Sequence, residues 1–166
     1  SLPVKINQLE VYSPYQPVTL IIEKDSPPAL RVSNIYYQRI LDLREDHLTT
    51  DALKAWENYY SLPYKIKPSP SQVLIVGSGT GNDVAAAIRN SAGHVDAVEI
   101  DPVIMRFGKL LHPESPYQSE KVTPVVNDAR AFMKNTKNKY DLIVFGLLDS
   151  HTLLATNSSV RLDSYV

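Results

Sequence analysis

The pattern of apolar and polar positions changes near residue 72. Before that point, short stretches rich in β-branched and aromatic residues alternate with turn residues, which is typical of antiparallel strands. These stretches are "VKINQLEVY" at 4–12, "PVTLIIEK" at 17–24, "ALRVSN" at 29–34 and "YYQRILDL" at 36–43. We therefore predict a small N-terminal antiparallel β unit over residues 1–48.

One helix and a linker are predicted over residues 49–71. Thr50 or Asp51 is a suitable N-cap, and "DALKAWENYY" places three apolar residues on one helical face, namely Leu53, Trp56 and Tyr60. The following "SLPYKIKPSPS" is interrupted by Pro and Ser, so we expect a linker there.

Beyond Gln72, short apolar runs alternate with helix-length segments, which predicts an α/β domain with a parallel sheet over residues 72–166. The predicted strands are "QVLIVG", "HVDAVEI", "VTPVVN" and "YDLIVFG", and the predicted helices are "NDVAAAIRN", "PVIMRFGKLL" and "ARAFMKNTK". In the second helix Val103, Phe107 and Leu110 recur at helical spacing. We expect the sheet to be buried on both faces.

Composition excludes several kinds of protein. The 17 Lys and Arg against 18 Asp and Glu leave no basic stripe, so a nucleic-acid partner is not expected. The lack of Cys excludes disulfides, thiolate zinc sites and thiol nucleophiles. No apolar run approaches the length of about 18 residues needed to cross a bilayer. These features predict a soluble, cytoplasmic chain.

The stretch "VLIVGSGTGND" at 73–83 places a glycine-rich loop between a strand and a helix. Missing side chains there would let a ligand reach backbone N–H groups, although a tight turn without any ligand is the alternative. The P-loop pattern fails for lack of its lysine, and the dinucleotide pattern fails because Asn82 replaces its third glycine. The remaining G-x-G-x-G resembles S-adenosylmethionine (AdoMet) sites, which makes Gly77, Ser78, Gly79, Thr80 and Gly81 candidate ligand contacts.

Acidic residues follow the next two strands. Glu99 lies about twenty residues past the glycines, where a carboxylate can accept both hydroxyls of a ribose, although it could also be merely solvated. Asp101 is better explained as a helix cap. Asp128 can cap a helix or accept from an adenine amino group, and the two roles are compatible. Because the loop and both acids fall at consecutive strand ends, together they predict a nucleoside site at the carboxyl edge of the sheet.

The chain resembles the spermidine synthase (aminopropyltransferase) family over most of its length. The residues that carry the resemblance are "SPYQ" at 13–16, "NIYYQ" at 34–38, "VLIVGSGTGND", "AVEIDPVI", "NDARAF" and "YDLIVFGLLD". The resemblance implies a Rossmann-like doubly wound sheet of the AdoMet-methyltransferase type, with strand order 3-2-1-4.

The same resemblance implies roles for individual residues. Gln16 and Gln38 would approach the cofactor and the gate of the site, Glu99 the ribose, and Asp128 with Ala129 the adenine. The implied cofactor is AdoMet or decarboxylated AdoMet, and the implied substrate is a small-molecule amine.

Two departures from the family bear on its chemistry. Thr80 stands where the family has an aspartate that helps to hold the aminopropyl ammonium. Gly146 stands where the first acid of D-x-x-D helps to deprotonate the attacking amine, and the second acid is Asp149. Loss of the base predicts slow or absent transfer to putrescine, by roughly 10²–10⁴-fold. Asp83, Asp149 or His151 could substitute, and we take Asp149 and His151 as the candidate catalytic residues.

The remaining histidines are His47, His94 and His112, which form no metal-ligand spacing and are expected to lie on the surface or in packing roles. About twenty residues follow Gly146, too few for three more strands, so we expect a fragment of a longer protein, which the resemblance allows to be membrane-attached. A fourth strand left at the sheet edge predicts a homodimer or a tail folded back over it.

Two functions remain open on the sequence alone. The first is a spermidine-synthase-like transferase that passes an aminopropyl or methyl group to an amine. The second is a nucleoside-binding or regulatory domain that has lost this chemistry.

Overall fold

The N-terminal part of the chain forms an antiparallel sheet, as predicted. The computed structural model describes residues 7–33 and 36–146. Its first sheet has the order β1-β2-β3-β4 with antiparallel neighbours. The strands are β1 (Asn7–Tyr12), β2 (Pro17–Ile22), β3 (Ala29–Val32) and β4 (Tyr36–Arg39).

Strand β4 ends at Arg39, earlier than the predicted residue 43. Beyond Ile40 the backbone turns to partners outside the sheet, since the Leu41 N–H donates to Asn82 Oδ1 at 3.1 Å and the Leu43 N–H donates to Glu114 Oε1 at 2.9 Å. The apolar side chains of this segment are buried although it is not a strand. An apolar run alone therefore did not distinguish a strand from a buried extended segment.

Helix α1 (Asp51–Ile66) begins where it was predicted, with the Thr50 side chain accepting from the Leu53 N–H at 3.2 Å. Its partly buried face includes Leu53, Trp56 and Tyr60, as expected. The helix then continues through Pro63 to Ile66, so the prediction of a linker from residue 61 is wrong for its first residues. Burial of Ser61 and Tyr64 explains the extension, because both face the protein interior.

A parallel sheet with the order β7-β6-β5-β8 forms the rest of the described chain. Its elements are β5 (Gln72–Val76), α2 (Asn82–Arg89), β6 (His94–Glu99), α3 (Pro102–Leu111), β7 (Val122–Val126), α4 (Ala129–Asn135) and β8 (Leu142–Phe145). In chain order the strands lie 3-2-1-4, which confirms the predicted topology. The fold is therefore the expected α/β type.

The two central strands are buried along most of their length, whereas the outer strands are not. Residues Thr123 and Val126 of β7, and Ile143 and Phe145 of β8, are exposed. The expectation of a sheet buried on both faces therefore holds for β5 and β6 and is wrong for β7 and β8. Among the described strands β8 lies at an edge, and the expectation of a homodimer stays a prediction.

Helix α3 packs against both sheets. Ile104 forms a cluster with four residues of the N-terminal sheet, and further side chains of the helix pack against that cluster. The sheet residues are Val18, Leu20, Leu30 and Val32, and the packing helix residues are Val103, Phe107 and Leu111. Leu110 is 69% exposed, so it was assigned to the wrong face, and Leu111 takes its place. Met105 on the other side of α3 joins the core of the parallel sheet.

Asn82, the residue that replaces the third glycine of the dinucleotide pattern, joins three segments at the start of α2. Its Oδ1 accepts from the Leu41 N–H and from His112 Nε2 at 3.1 Å, and its Nδ2 donates to the Arg39 carbonyl at 2.8 Å and to the Tyr60 hydroxyl at 3.1 Å. All its polar capacity is used within a buried environment. A glycine here would leave several buried groups unpaired.

No helix within residues 7–33 and 36–146 combines the length and apolar character that a bilayer crossing requires.

Gly108 sets the distance between α3 and the glycine loop, because a Cβ on it would lie 2.5 Å from the Thr80 carbonyl oxygen. We expect Gly108→Ala to lower the free energy of unfolding by about 1–3 kcal/mol, although alanine favours helix by about 1 kcal/mol. Urea denaturation measures the change. Leu110→Ala, on the exposed side of the same helix, should change stability by about 0.5 kcal/mol or less. Equal or greater stability of Gly108→Ala would show that α3 can move away freely.

His112 should make stability fall as pH is lowered. Burial, followed by the charge of Arg89, lowers the pKa of His112 to about 4 from its ordinary value of 6.5. Between these values the unfolded chain binds the extra proton, so the free energy of unfolding should fall by on the order of 3 kcal/mol from pH 7 to 4. Urea denaturation across this range should show a weaker pH dependence for His112→Gln. Equal slopes for parent and His112→Gln would contradict this account.

Candidate functional site

The glycine loop between β5 and α2 needs its glycines for backbone conformation. Gly77, Gly79 and Gly81 have φ of 71°, 56° and 107°, in the left-handed region that other residues rarely adopt. Gly81 is also the N-cap of α2, where a Cβ would lie 2.9 Å from Pro116. Larger residues at these positions would strain the turn.

The backbone N–H groups of this loop all donate to protein acceptors. The partners are the Val98 carbonyl for Gly77 (2.8 Å) and Ser78 (3.0 Å), Glu99 Oε2 for Gly79 (2.9 Å), Gln38 Oε1 for Thr80 (3.3 Å) and the Ser78 carbonyl for Gly81 (3.1 Å). In this structure these N–H groups donate within the protein, and the expectation that a ligand contacts the loop stays a prediction. These hydrogen bonds hold the loop conformation, and Gly77 is exposed.

Two side chains from outside the parallel sheet cover the loop. Gln38 on β4 accepts from the Thr80 hydroxyl at 3.0 Å as well as from its N–H. Tyr117, in the short 3-10 turn 116–118, donates to the Gly79 carbonyl at 2.6 Å and lies 2.8 Å from Ser78 Oγ. Gln38 thus contacts the loop, and its approach to the cofactor, which the resemblance implies, stays a prediction. Nothing in the sequence pattern indicated Tyr117.

Glu99 lies at the carboxyl end of β6, beside the loop. Its carboxylate accepts from the Gly79 N–H at 2.9 Å and from the Asp101 N–H at 3.0 Å, and the residue is 8% exposed. Burial raises its pKa, and the backbone hydrogen bonds act in the opposite direction. Glu99 thus ends β6 as predicted, and its contact with a ribose stays a prediction. The hydrogen bonds to the backbone are a structural role that the sequence did not indicate.

Asp101 is the cap of α3 that the sequence predicted, accepting from the Val103 N–H at 2.9 Å. Its second oxygen, Oδ2, accepts from the Ser13 hydroxyl at 2.7 Å and from the Gln16 amide at 3.3 Å. The "SPYQ" turn is thereby held at the end of β6, which brings Gln16 to the same sheet edge as Glu99.

The end of β7 carries Asp128 and Ala129. Asp128 caps α4 by accepting from the Ala131 N–H at 2.9 Å, which confirms the capping role, and its side chain is exposed. Ala129 is the first residue of α4. Because β7, β6 and β5 are neighbouring parallel strands, Asp128, Glu99 and the glycine loop lie in order along one edge.

Gly146 follows β8 at the same edge, where its N–H donates to the Val76 carbonyl at 2.7 Å. A Cβ on Gly146 would lie 2.1 Å from the Gly77 carbonyl oxygen and 3.3 Å from Asp83 Oδ2. No side chain fits at residue 146 without displacement of the backbone. Asp83 itself has a pKa raised to about 7 by burial.

The candidate catalytic residues Asp149 and His151 lie outside the described residues. The other histidines have packing or surface positions, as expected. His112 is buried, His94 lies 3.2 Å from Asp96, and His47 is exposed beside Asp46. Within residues 7–33 and 36–146, no cluster of side chains could hold a metal ion.

Two relatives to which the chain is similar in sequence are polyamine aminopropyltransferases. The chain is 34% identical over 91 residues to the polyamine aminopropyltransferase of Alkaliphilus metalliredigens, covering 53% of this chain and 32% of that protein. It is 28% identical over 144 residues to the polyamine aminopropyltransferase of a Ruegeria species, covering 73% of this chain and 51% of that protein. The chain thus spans about half or less of the length of these relatives.

Solved structures share the fold. A spermidine synthase in complex with the transition-state analogue AdoDATO superposes with a TM-score of 0.64 at 17% identity, covering 89% of this chain and 49% of that one. The spermidine synthase of Thermotoga maritima gives a TM-score of 0.62 at 18% identity, covering 86% of this chain and 48% of that one. The family model for the spermine/spermidine synthase domain matches residues 55–161. The chain therefore belongs to the spermine/spermidine synthase domain family.

Proposed function

We propose that this chain forms the nucleoside-binding part of an aminopropyltransferase. It would bind decarboxylated AdoMet and transfer the aminopropyl group to a small-molecule amine, releasing methylthioadenosine. The observation that carries the proposal is the order of the glycine loop, Glu99 and Asp128 along the carboxyl edge of β5, β6 and β7. Family membership and the aminopropyltransferase relatives support the same reaction.

The internal hydrogen bonds of the loop favour a ligand without phosphate. A phosphate would need free backbone N–H groups, and those of residues 77–81 are all occupied. A nucleoside with a thioether or sulfonium group carries no phosphate and therefore does not need free backbone N–H groups. The loop then contributes shape and close approach, and the polar contacts come from the acidic side chains.

Glu99 is suited to the ribose. A carboxylate has about four acceptor positions, and two are used by the Gly79 and Asp101 N–H groups, which leaves capacity for two hydroxyls. In this proposal Asp128 accepts from the adenine amino group, Ala129 lies beside the base, and Gln16 and Gln38 border the site from the N-terminal sheet.

The preference for decarboxylated AdoMet over AdoMet has an electrostatic basis. The decarboxylated form carries an ammonium and a sulfonium but no carboxylate. Near Gly77, where the loop is exposed, the neighbouring acid is Asp83. An ionised Asp83 would repel the carboxylate of AdoMet.

Glu99→Ala should weaken binding of methylthioadenosine at least tenfold, because each charge-assisted hydrogen bond to the ribose contributes roughly 1.5–3 kcal/mol. Calorimetric titration of the full-length protein measures the dissociation constant. An unchanged value would remove Glu99 from the site.

Glu114→Ala is the matched control for loss of structure. Glu114 is also a buried carboxylate that accepts from a backbone N–H, that of Leu43, and it pairs with Arg89 near the other end of α2. Its loss should lower stability and leave the dissociation constant within about threefold of the parent value. Equal weakening in both variants would mean that Glu99 acts through stability alone.

A further inference from the structure

Asp83 places a carboxyl group between the carboxyl ends of β5 and β8. It lies in the first turn of α2, and its Oδ2 is 3.3 Å from where a Cβ on Gly146 would be. The Gly146 N–H donates to the Val76 carbonyl, which holds the end of β8 against β5 at this point. The Asp83 oxygen therefore occupies the space into which a side chain at residue 146 would extend.

Residue 146 itself cannot supply an acid without a change in the backbone. Its Cβ would approach the Gly77 carbonyl oxygen to 2.1 Å, far closer than any real contact. The Gly77 N–H in turn donates to the Val98 carbonyl at 2.8 Å, which holds the loop against movement away from residue 146. Residue 146, at the end of β8, thus lacks a carboxyl group at the point where Asp83 on α2 supplies one.

We propose that Asp83 is the general base of the aminopropyl transfer and accepts the proton of the attacking amine at the position that Gly146 leaves open. This inference rests on the proposed function and names a catalytic residue within that same site.

The reaction balances with the groups named. The carboxylate of Asp83 takes one proton from the acceptor ammonium, which leaves a neutral amine with a free electron pair. That pair attacks the methylene carbon bonded to the sulfonium, so that a C–N bond forms while the C–S bond breaks. The C–S electron pair stays on sulfur and gives neutral methylthioadenosine. The product amine keeps the positive charge, and Asp83 later returns its proton to solvent.

The surroundings of Asp83 suit this role. Burial raises its pKa to about 7, yet the residue keeps partial exposure through which an amine could approach. An amine of pKa about 10 transfers its proton to such a group more readily than to an ordinary carboxylate of pKa about 4. Within residues 7–33 and 36–146, no hydrogen bond from another side chain reaches the Asp83 carboxyl.

The titratable groups around Asp83 do not neutralise it. Burial raises the pKa of Tyr64 on α1 and of Tyr117 in the turn 116–118, and the charge of Asp83 raises both further. They therefore stay uncharged near neutral pH. The charge of Glu99 on β6 also raises the pKa of Tyr117, whereas the charge of Arg89, at the other end of α2, lowers the pKa of Tyr64. Among the described residues, the groups nearest to Asp83 thus leave it able to exchange a proton near pH 7.

The test compares Asp83→Asn with the full-length parent, using decarboxylated AdoMet with putrescine and with spermidine. At pH 7.5, kcat should fall 10²–10⁴-fold, while the dissociation constant of methylthioadenosine stays within about threefold. The loss should shrink as pH rises toward 10, because the amine then arrives already neutral. The parent should lose activity below about pH 7, whereas the variant should lose activity with falling pH already from about pH 10, the pKa of the amine itself.

Asp141→Asn is the matched control. Asp141 accepts from the Gln72 N–H at 2.9 Å at the opposite end of β5 and β8, so its substitution should leave kcat and the pH profile unchanged. If Asp83→Asn does not fold, Asp83→Ala assayed with added acetate replaces it, and acetate should restore part of the lost rate. If acetate restores none of the lost rate, the proposal is contradicted.

The outcomes separate two failures. If the parent turns over neither amine, the proposed function fails, and the role of Asp83 fails with it. If the parent turns over and Asp83→Asn matches it at every pH, the role of Asp83 alone is overturned. An equal loss at every pH together with weaker methylthioadenosine binding would make Asp83 a structural residue, which also overturns it.

Discussion

The arrangement of the site depends on the five consecutive backbone N–H groups of Gly77 to Gly81, because each donates a hydrogen bond to an acceptor within the protein. The acceptors come from the end of β6, from Gln38 on β4 and from the loop itself. The loop is therefore held from two sheets at once. Its shape, its restriction to glycine at three positions and its exposure at Gly77 all follow from these bonds.

The N-terminal sheet belongs to the site for the same reason. Gln38 reaches the loop from β4, and the turn before β2 reaches Asp101 through Ser13 and Gln16. Apolar packing of this sheet on α3 maintains both contacts. Asn82 adds a polar connection by joining the segment after β4 to α1 and to the end of α3. Changes in the first sheet should therefore affect the ligand site although its strands lie outside the parallel sheet.

Much of the fold could be predicted because it depends on local pattern. The alternation of apolar runs and helical segments predicted the elements, and the caps Thr50, Asp101 and Asp128 marked helix starts correctly. The 3-2-1-4 order came from the family resemblance. The errors occurred where tertiary contacts decide the outcome. The chain beyond Arg39 leaves its sheet for side-chain acceptors on α2 and after α3, and α1 passes through Pro63 because Tyr64 is buried.

The candidate site was predictable in position and less so in detail. Glu99 lies at the end of β6 as the motif order predicted, and Gln38 was named from the family resemblance. Their hydrogen bonds to the loop were not predicted, since backbone partners leave no trace in a sequence pattern. Tyr117 lies in a turn between α3 and β7 without any recognisable motif. Gly108 did offer a signal, because a glycine inside a helix suggests close packing. The position of Asp83 beside Gly146 required the structure.

The central claim is that the carboxyl edge of this sheet binds an adenosine ligand that carries an aminopropyl group. Calorimetric titration of the full-length protein with methylthioadenosine, decarboxylated AdoMet and AdoMet tests it most directly. The account predicts that the first two bind and that AdoMet binds at least tenfold more weakly than its decarboxylated form, because an ionised Asp83 would repel its carboxylate. Absence of binding by all three, or tighter binding of AdoMet, would contradict the account.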